Sequence, residues 1–229
     1  HKDEHRRILY NICVVGTRGC GKTALIMKLT NPLLVSIGEL IPTKYSEFFG
    51  TAIVENKDDV SVQHVFDYHE WGGEFLPEAL GAMRDLGYVD GRSDVGTRRP
   101  GVSALLLVVD LGSQSFDKSR ALFQSTEYFC APVLRFLLSE SIQAHMKTLI
   151  LFINKSDLLK DWRQETEQAA TSLYETLIQE LSKQFHGDLH VIVGSALTEH
   201  GLHKLNTTLI RSIIPADVKT ELPRIGISS

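Results

Sequence analysis

Cysteine is scarce in this chain, with only Cys13, Cys20 and Cys130 among 229 residues. The count is odd and no two stand at metal-ligand spacing, which argues against a disulfide framework or a cysteine-bound zinc. A reducing compartment fits, and a cytoplasmic setting is expected. Long basic runs are missing and the net charge is −4, so composition points away from nucleic acid and anionic membranes. No apolar stretch approaches ~18 residues without a charge, so no transmembrane span is expected. Signal-peptide and C-terminal prenylation patterns are also missing, although a start at His1 rather than Met leaves room for a longer parent protein. There are no repeats, no low-complexity tract and no arguable Ser-His-Asp arrangement. His200 and His203, with His186 and His190 upstream, lack a cysteine or carboxylate to complete a metal site and read as surface histidines. Phe123, Tyr128, Phe129 and Phe136 read as a packed helix face. What remains is a chain 43% hydrophobic, enough to bury the core of one domain without covalent staples.

The most informative segment is Gly16-Thr17-Arg18-Gly19-Cys20-Gly21-Lys22-Thr23, the pattern Gly-x-x-x-x-Gly-Lys-Thr. It follows an apolar run, Ile8–Val15, and opens a helical pattern at Lys22, which is the strand–loop–helix setting of a phosphate-binding loop. The glycines let successive backbone N–H groups turn inward toward phosphate oxygens. The N–H groups of Gly19, Cys20, Gly21 and Ala24 are candidates for that cradle, aided by the positive end of the helix. Lys22 is expected to reach the outer phosphates, and the Thr23 hydroxyl to ligate Mg²⁺.

Apolar runs alternate with helical patterns over most of the chain. Strands are expected at about 8–15, 47–55, 60–67, 103–110, 148–153 and 189–193, and helices at about 22–29, 73–86, 116–139, 162–185 and 199–214. Ala104–Val109 and Leu149–Ile153 are continuously apolar, as central parallel strands covered on both faces are. The polar turn Asn56-Lys57-Asp58-Asp59 implies an antiparallel edge hairpin. The expected fold is a doubly wound α/β domain with a mostly parallel six-stranded sheet, its ligand beyond the carboxyl ends of the strands. Residues 1–7 read as a lead, 8–214 as the domain, and 215–229 as a weakly ordered tail.

A second motif, Asn154-Lys155-Ser156-Asp157, follows the fifth expected strand. The Asp157 carboxylate can accept from N1–H and the exocyclic amine of guanine, a donor pair that adenine lacks. The Lys155 stem can lie over the base, and Asn154 can tie this segment to the phosphate loop. After the sixth strand comes Gly194-Ser195-Ala196-Leu197, where the Ala196 N–H can meet the guanine carbonyl.

In these motifs the chain resembles the Ras-like GTPases of the translation-factor-related P-loop class, over nearly everything from Ile8 to Ile214. The resemblance implies GTP and GDP as ligands with Mg²⁺, and protein effectors or regulators as partners. It makes Thr43 the first-switch threonine of the Mg²⁺ shell, with Thr51 as competitor. It makes Asp67, 24 residues after Thr43, the carboxylate that holds Mg²⁺ through water.

The second switch departs from the family. Where the family has Asp-x-x-Gly and then glutamine, a register starting at Asp67 reads Asp67-Tyr68-His69-Glu70-Trp71. Glu70 then takes the glycine position and Trp71 that of the water-orienting glutamine, leaving Lys22, Thr43, His69 and Glu70 as catalytic candidates. Arg18 can crowd an incoming arginine finger, add charge to the phosphates, or simply lie in solvent at the rim. From Asp67 to Ser103 takes about 36 residues, more than the family uses. The surplus at about 86–101 is an insertion that either meets a partner or is passive. The functional expectation is a guanine-nucleotide switch with slow hydrolysis. The alternative is a pseudo-GTPase that scaffolds without turnover, while a P-loop kinase fits poorly.

Overall fold

In the computed structural model the described residues are 4–31, 44–57, 60–86, 92–93, 96–113, 117–159 and 164–218. β1 (Glu4–Gly16) runs into α1 (Lys22–Thr30). β2 (Tyr45–Lys57) and β3 (Val60–Trp71) then pair antiparallel, with a bulge between Thr51 and Ile53. α2 (Leu76–Asp85) follows, then two short strands, β4 (Arg92–Ser93) and β5 (Gly96–Arg98). The central strands β6 (Ala104–Asp110) and β7 (Thr148–Asn154) flank α3 (Lys118–Phe123), a π-helical turn at 124–128, α4 (Ala131–Leu137) and α5 (Glu140–Gln143). A 3-10 turn (Ser156–Leu158), α6 (Gln164–Leu173), α7 (Glu175–Gln184), β8 (Asp188–Val193) and α8 (Leu202–Ile213) complete the described elements.

The strand order is β2-β3-β1-β6-β7-β8, parallel except for the β2–β3 pair at one edge. The strict alternation in β6 shows why helices lie on both faces. Leu105, Leu107 and Val109 join a core built with α2, α4, α6 and α7, while Ala104, Leu106 and Val108 join one built with α1 and α8. A strand apolar at every position from Ala104 to Val109 needs cover on both sides, and these two cores supply it. This is the expected α/β architecture with a mostly parallel mixed sheet.

The boundaries differ from expectation in ways that have local causes. β1 begins at Glu4, so the last residues of the expected lead are strand. The expected helix at 116–139 breaks at Cys130, because Pro132 has no N–H to give the Tyr128 carbonyl and its ring crowds that carbonyl. The expected helix at 162–185 kinks at Tyr174, and α8 starts at Leu202, after Gly201 with φ 75°. Within the insertion the described strands β4 and β5 pair antiparallel, with β5 parallel to the first half of β1 on the edge that β6 uses higher up. Val218 still packs into the core of α1 and α8, while 219–229 lie outside the described residues.

The largest correction concerns β3. Its pairing continues four residues beyond Asp67, with Tyr45 beside Trp71 and Val14 beside Glu70. Aromatic side chains available to both faces, Tyr68 for one core and Trp71 for the other, keep the strand going.

Candidate functional site

β1 and β6 separate the two halves of the sheet order, and Gly16 ends β1 beside Val108. The loop that follows turns tightly. Gly19 and Gly21 have φ of 74° and 91°, in the left-handed region, and Gly21 opens α1. A Cβ on Gly21 would also collide with the Asn154 amide, so glycine is required there twice over. Lys22 is buried and folds back across the loop, its Nζ donating to Gly16 O at 2.9 Å and Thr17 O at 3.0 Å. Arg18 is exposed at the rim, and Ala24 is half-buried on α1.

Thr23 does not meet Asp67. Its Oγ1 donates to Glu70 Oε1 at 2.6 Å, and the other oxygen, Glu70 Oε2, is buried without a partner among the described residues. Glu70 is 2% exposed, and burial pushes its carboxyl up despite the Thr23 hydrogen bond and the nearby Lys22 charge. The strand register explains the exchange of roles. Asp67 lies beside Asn11, three residues short of the Val14–Glu70 level, which is about 10 Å along a strand. Odd and even positions also face opposite ways, so Asp67, His69 and Trp71 point away from α1. Counted from Glu70, the acidic residue and a glycine three positions on read Glu70-Trp71-Gly72-Gly73. Gly73 fits this count, because a Cβ there would overlap the Arg18 backbone nitrogen. The peptide at Gly73 thus lies directly on the Gly16–Thr23 loop.

His69 and Trp71, expected near the phosphates, serve other purposes. The His69 Nδ1 is 3.0 Å from the Tyr45 hydroxyl, its Nε2 is 3.1 Å from Asp67 Oδ2, and its ring stacks with Trp71 at 6.2 Å. Asp67, fully buried, also pairs with the Arg98 guanidinium of β5, which reaches Glu47 at 3.1 Å. Burial alone would raise the Asp67 carboxyl, but hydrogen bonds from His69 and the Arg98 charge hold it below its usual range. Donor atoms of Glu47, Asp67 and His69 lie within 4.8 Å of one another, and Arg98 supplies the cation among them. Thr43 lies outside the described residues.

The second and third motifs converge on the same loop. Asn154 donates from Nδ2 to Cys20 O at 2.9 Å and accepts at Oδ1 from Ala196 N at 3.0 Å, joining the three segments. Lys155 adopts φ 65° and its Nζ donates to Gly112 O at 2.8 Å. Asp157 is exposed and accepts from the buried Ser195 hydroxyl. Ser195 Oγ in turn accepts from Leu197 N at 3.1 Å, and Leu197 itself is 68% exposed.

The motifs missed Gly73, Arg98 and a cluster behind the loop formed by Asp110, Arg120, Gln124, Tyr128 and Tyr174. Only the spacing of Arg120, Gln124 and Tyr128, four residues apart on one helical segment, carried a hint of the last. No protein-family model matches this chain, and no curated protein is similar enough to count as a relative. No helix among the described residues is long and apolar enough to cross a membrane.

Proposed function

We propose that this chain is a P-loop guanine-nucleotide-binding protein, with Mg²⁺ as cofactor, that works as a slow GTPase switch through protein partners. The observation that carries the reading is the meeting of three sequence-distant segments at one loop: Glu70 on Thr23, Asn154 on Cys20, and Ala196 on Asn154. The residues suit the metal. A hydroxyl and a buried carboxylate whose second oxygen meets no partner among the described residues form a hard-oxygen pair suited to a cation. Bound Mg²⁺ would neutralise charge on the β- and γ-phosphates.

In this reading Thr23 and Glu70 hold the metal, with Thr43 as the candidate first-switch ligand. The N–H groups of the loop and Gly73 face the phosphates, and Lys22 exchanges its carbonyl partners for phosphate oxygens. Asp157 reads the guanine edge, while Ser195 orients its carboxylate, and the Ala196 N–H, which donates to Asn154 Oδ1, would have to turn from it to meet the base carbonyl. Asp67 and His69 belong to the sheet interior and are assigned no contact with nucleotide. Glu74 follows Gly73 directly and is exposed; its carboxylate can accept from a water but has no amide N–H to donate to the γ-phosphate, so unassisted hydrolysis is slow. The second reading, a pseudo-GTPase that binds without turnover, is favoured by that same feature and by glutamate in the aspartate position. Phosphate release from GTP in a single turnover separates the two. A switch gives a measurable rate that a partner can raise, with an intrinsic value under about 10⁻³ per second. A pseudo-GTPase gives none.

A further inference from the structure

Behind the Gly16–Thr23 loop lies a cluster of buried polar groups that belongs to none of the motifs. Asp110 and Gln124 are both fully buried. Arg120 grips Asp110 with Nε, at 2.7 and 2.9 Å to the two carboxylate oxygens, and with Nη2 at 2.7 Å. The same Nη2 reaches Arg18 O at 3.1 Å and Thr17 Oγ1 at 3.4 Å. Gln124 Nε2 donates to Thr17 Oγ1 at 2.8 Å and lies 3.0 Å from Asp110 Oδ2. The Tyr174 hydroxyl sits 2.7 Å from Gln124 Oε1, fixing which way that amide faces. Four residues further on, Tyr128 donates its hydroxyl to Gly16 O at 3.0 Å. Three consecutive loop residues are therefore held from one helical segment.

The helix geometry permits this. Each four-residue step in an α-helix overshoots the starting face by about 40°. Between Gln124 and Tyr128 the segment widens into its π-helical turn, which takes the drift back and keeps Arg120, Gln124 and Tyr128 on one line.

We propose that Arg120, set by Asp110 and assisted by Gln124 and Tyr128, is a positioning residue that pre-shapes the phosphate cradle. This rests on the guanine-nucleotide reading of the same loop. Lys22 at present bonds Gly16 O and Thr17 O, and it must leave both to meet phosphate. When it leaves, Tyr128 still satisfies Gly16 O and Cys20 N still faces Thr17 O at 3.3 Å, so the loop keeps its shape. A cradle that needs no reshaping loses less on binding. Asp110 Oδ1 also lies 3.5 Å from Lys155 Nζ, so one carboxylate touches the supports of both the phosphate and the base subsites.

The test is the rate at which GDP leaves the Mg²⁺-loaded protein, in wild type, Arg120→Lys and Tyr128→Phe, beside their melting midpoints. Lysine restores the charge on Asp110 but has no planar fork to serve Asp110 and Arg18 O together. The expected result is an Arg120→Lys protein that melts close to wild type yet releases GDP about tenfold faster, the cost of a lost hydrogen bond. Tyr128→Phe should speed release several-fold in the same direction, and it stands in if Arg120→Lys does not fold. Wild-type release rates in both variants would overturn the inference and leave the guanine reading intact. A wild-type chain that holds no GDP would instead remove the guanine reading and this inference with it.

Discussion

Glu70 is the residue on which most of the proposed chemistry turns. A carboxylate that is buried, with one oxygen on a hydroxyl and the other unpartnered among the described residues, costs the nucleotide-free fold until a cation arrives. Its carboxyl is raised by burial, so folding favours the protonated form more than the unfolded chain does, and the penalty grows as pH rises through that raised value. Glu70→Gln should therefore raise the melting midpoint of the nucleotide-free protein at neutral pH. The same variant should weaken Mg²⁺-dependent GDP binding by about tenfold or more, read by calorimetry with and without the metal. Asp67 acts with the opposite sign. Its carboxyl is held below the ordinary value of 3.8, so its contribution is present above that pH and is lost as pH falls through the lowered value. Asp67→Asn should lower stability at neutral pH and flatten the acid limb of a melting-point-against-pH curve. Arg98→Ala strands that carboxylate and should cost about 3 kcal/mol in denaturant unfolding, the usual penalty for breaking a buried pair. If Asp67 instead served the metal, its substitution would abolish the Mg²⁺ dependence that Glu70→Gln is expected to weaken.

Among the elements, β5 is the one whose role changes most between sequence and structure. In a glycine- and arginine-rich stretch, β4 and β5 pair antiparallel, and Arg98 of β5 crosses to β3, three residues ahead of Glu70. Hydrogen exchange at 96–98 should differ between the GDP form and a form loaded with a non-hydrolysable GTP analogue, because Arg98 is tied to Asp67 on the same strand that carries Glu70. Identical protection in the two states would make the β4–β5 pair a passive addition. Gly16–Thr23, Asn154–Asp157 and Ser195–Leu197 were legible because each carries its chemistry in neighbouring residues at the end of an obvious strand. The partner of Thr23 was not, because it depends on where β3 stops. That boundary is set by pairing with Tyr45 on β2 and Val14 on β1, distant in sequence. In the proposed reading the count begins at Glu70, three residues after the more familiar aspartate. Arg120 and Tyr128 were hidden for a related reason. The π-helical turn that aligns them breaks the 3.6-residue period by which faces are read.

At the scale of the whole molecule, a mostly parallel sheet carries all three motifs beyond the carboxyl ends of β1, β7 and β8, with Glu70 arriving from β3. In open sheets of this kind ligands are held at that edge, where the strand order reverses. The central claim is that the ligand is a guanine nucleotide, and calorimetry of the nucleotide-free protein with GDP and ADP in the presence of Mg²⁺ tests it most directly. Asp157 is exposed and stands by Ser195, and the proposed reading assigns its carboxylate the two donors of guanine that adenine lacks. The expected result is GDP binding at least about 100-fold tighter than ADP, with Asp157→Asn erasing most of the difference. Equal affinity for the two nucleotides, unchanged in Asp157→Asn, would contradict it.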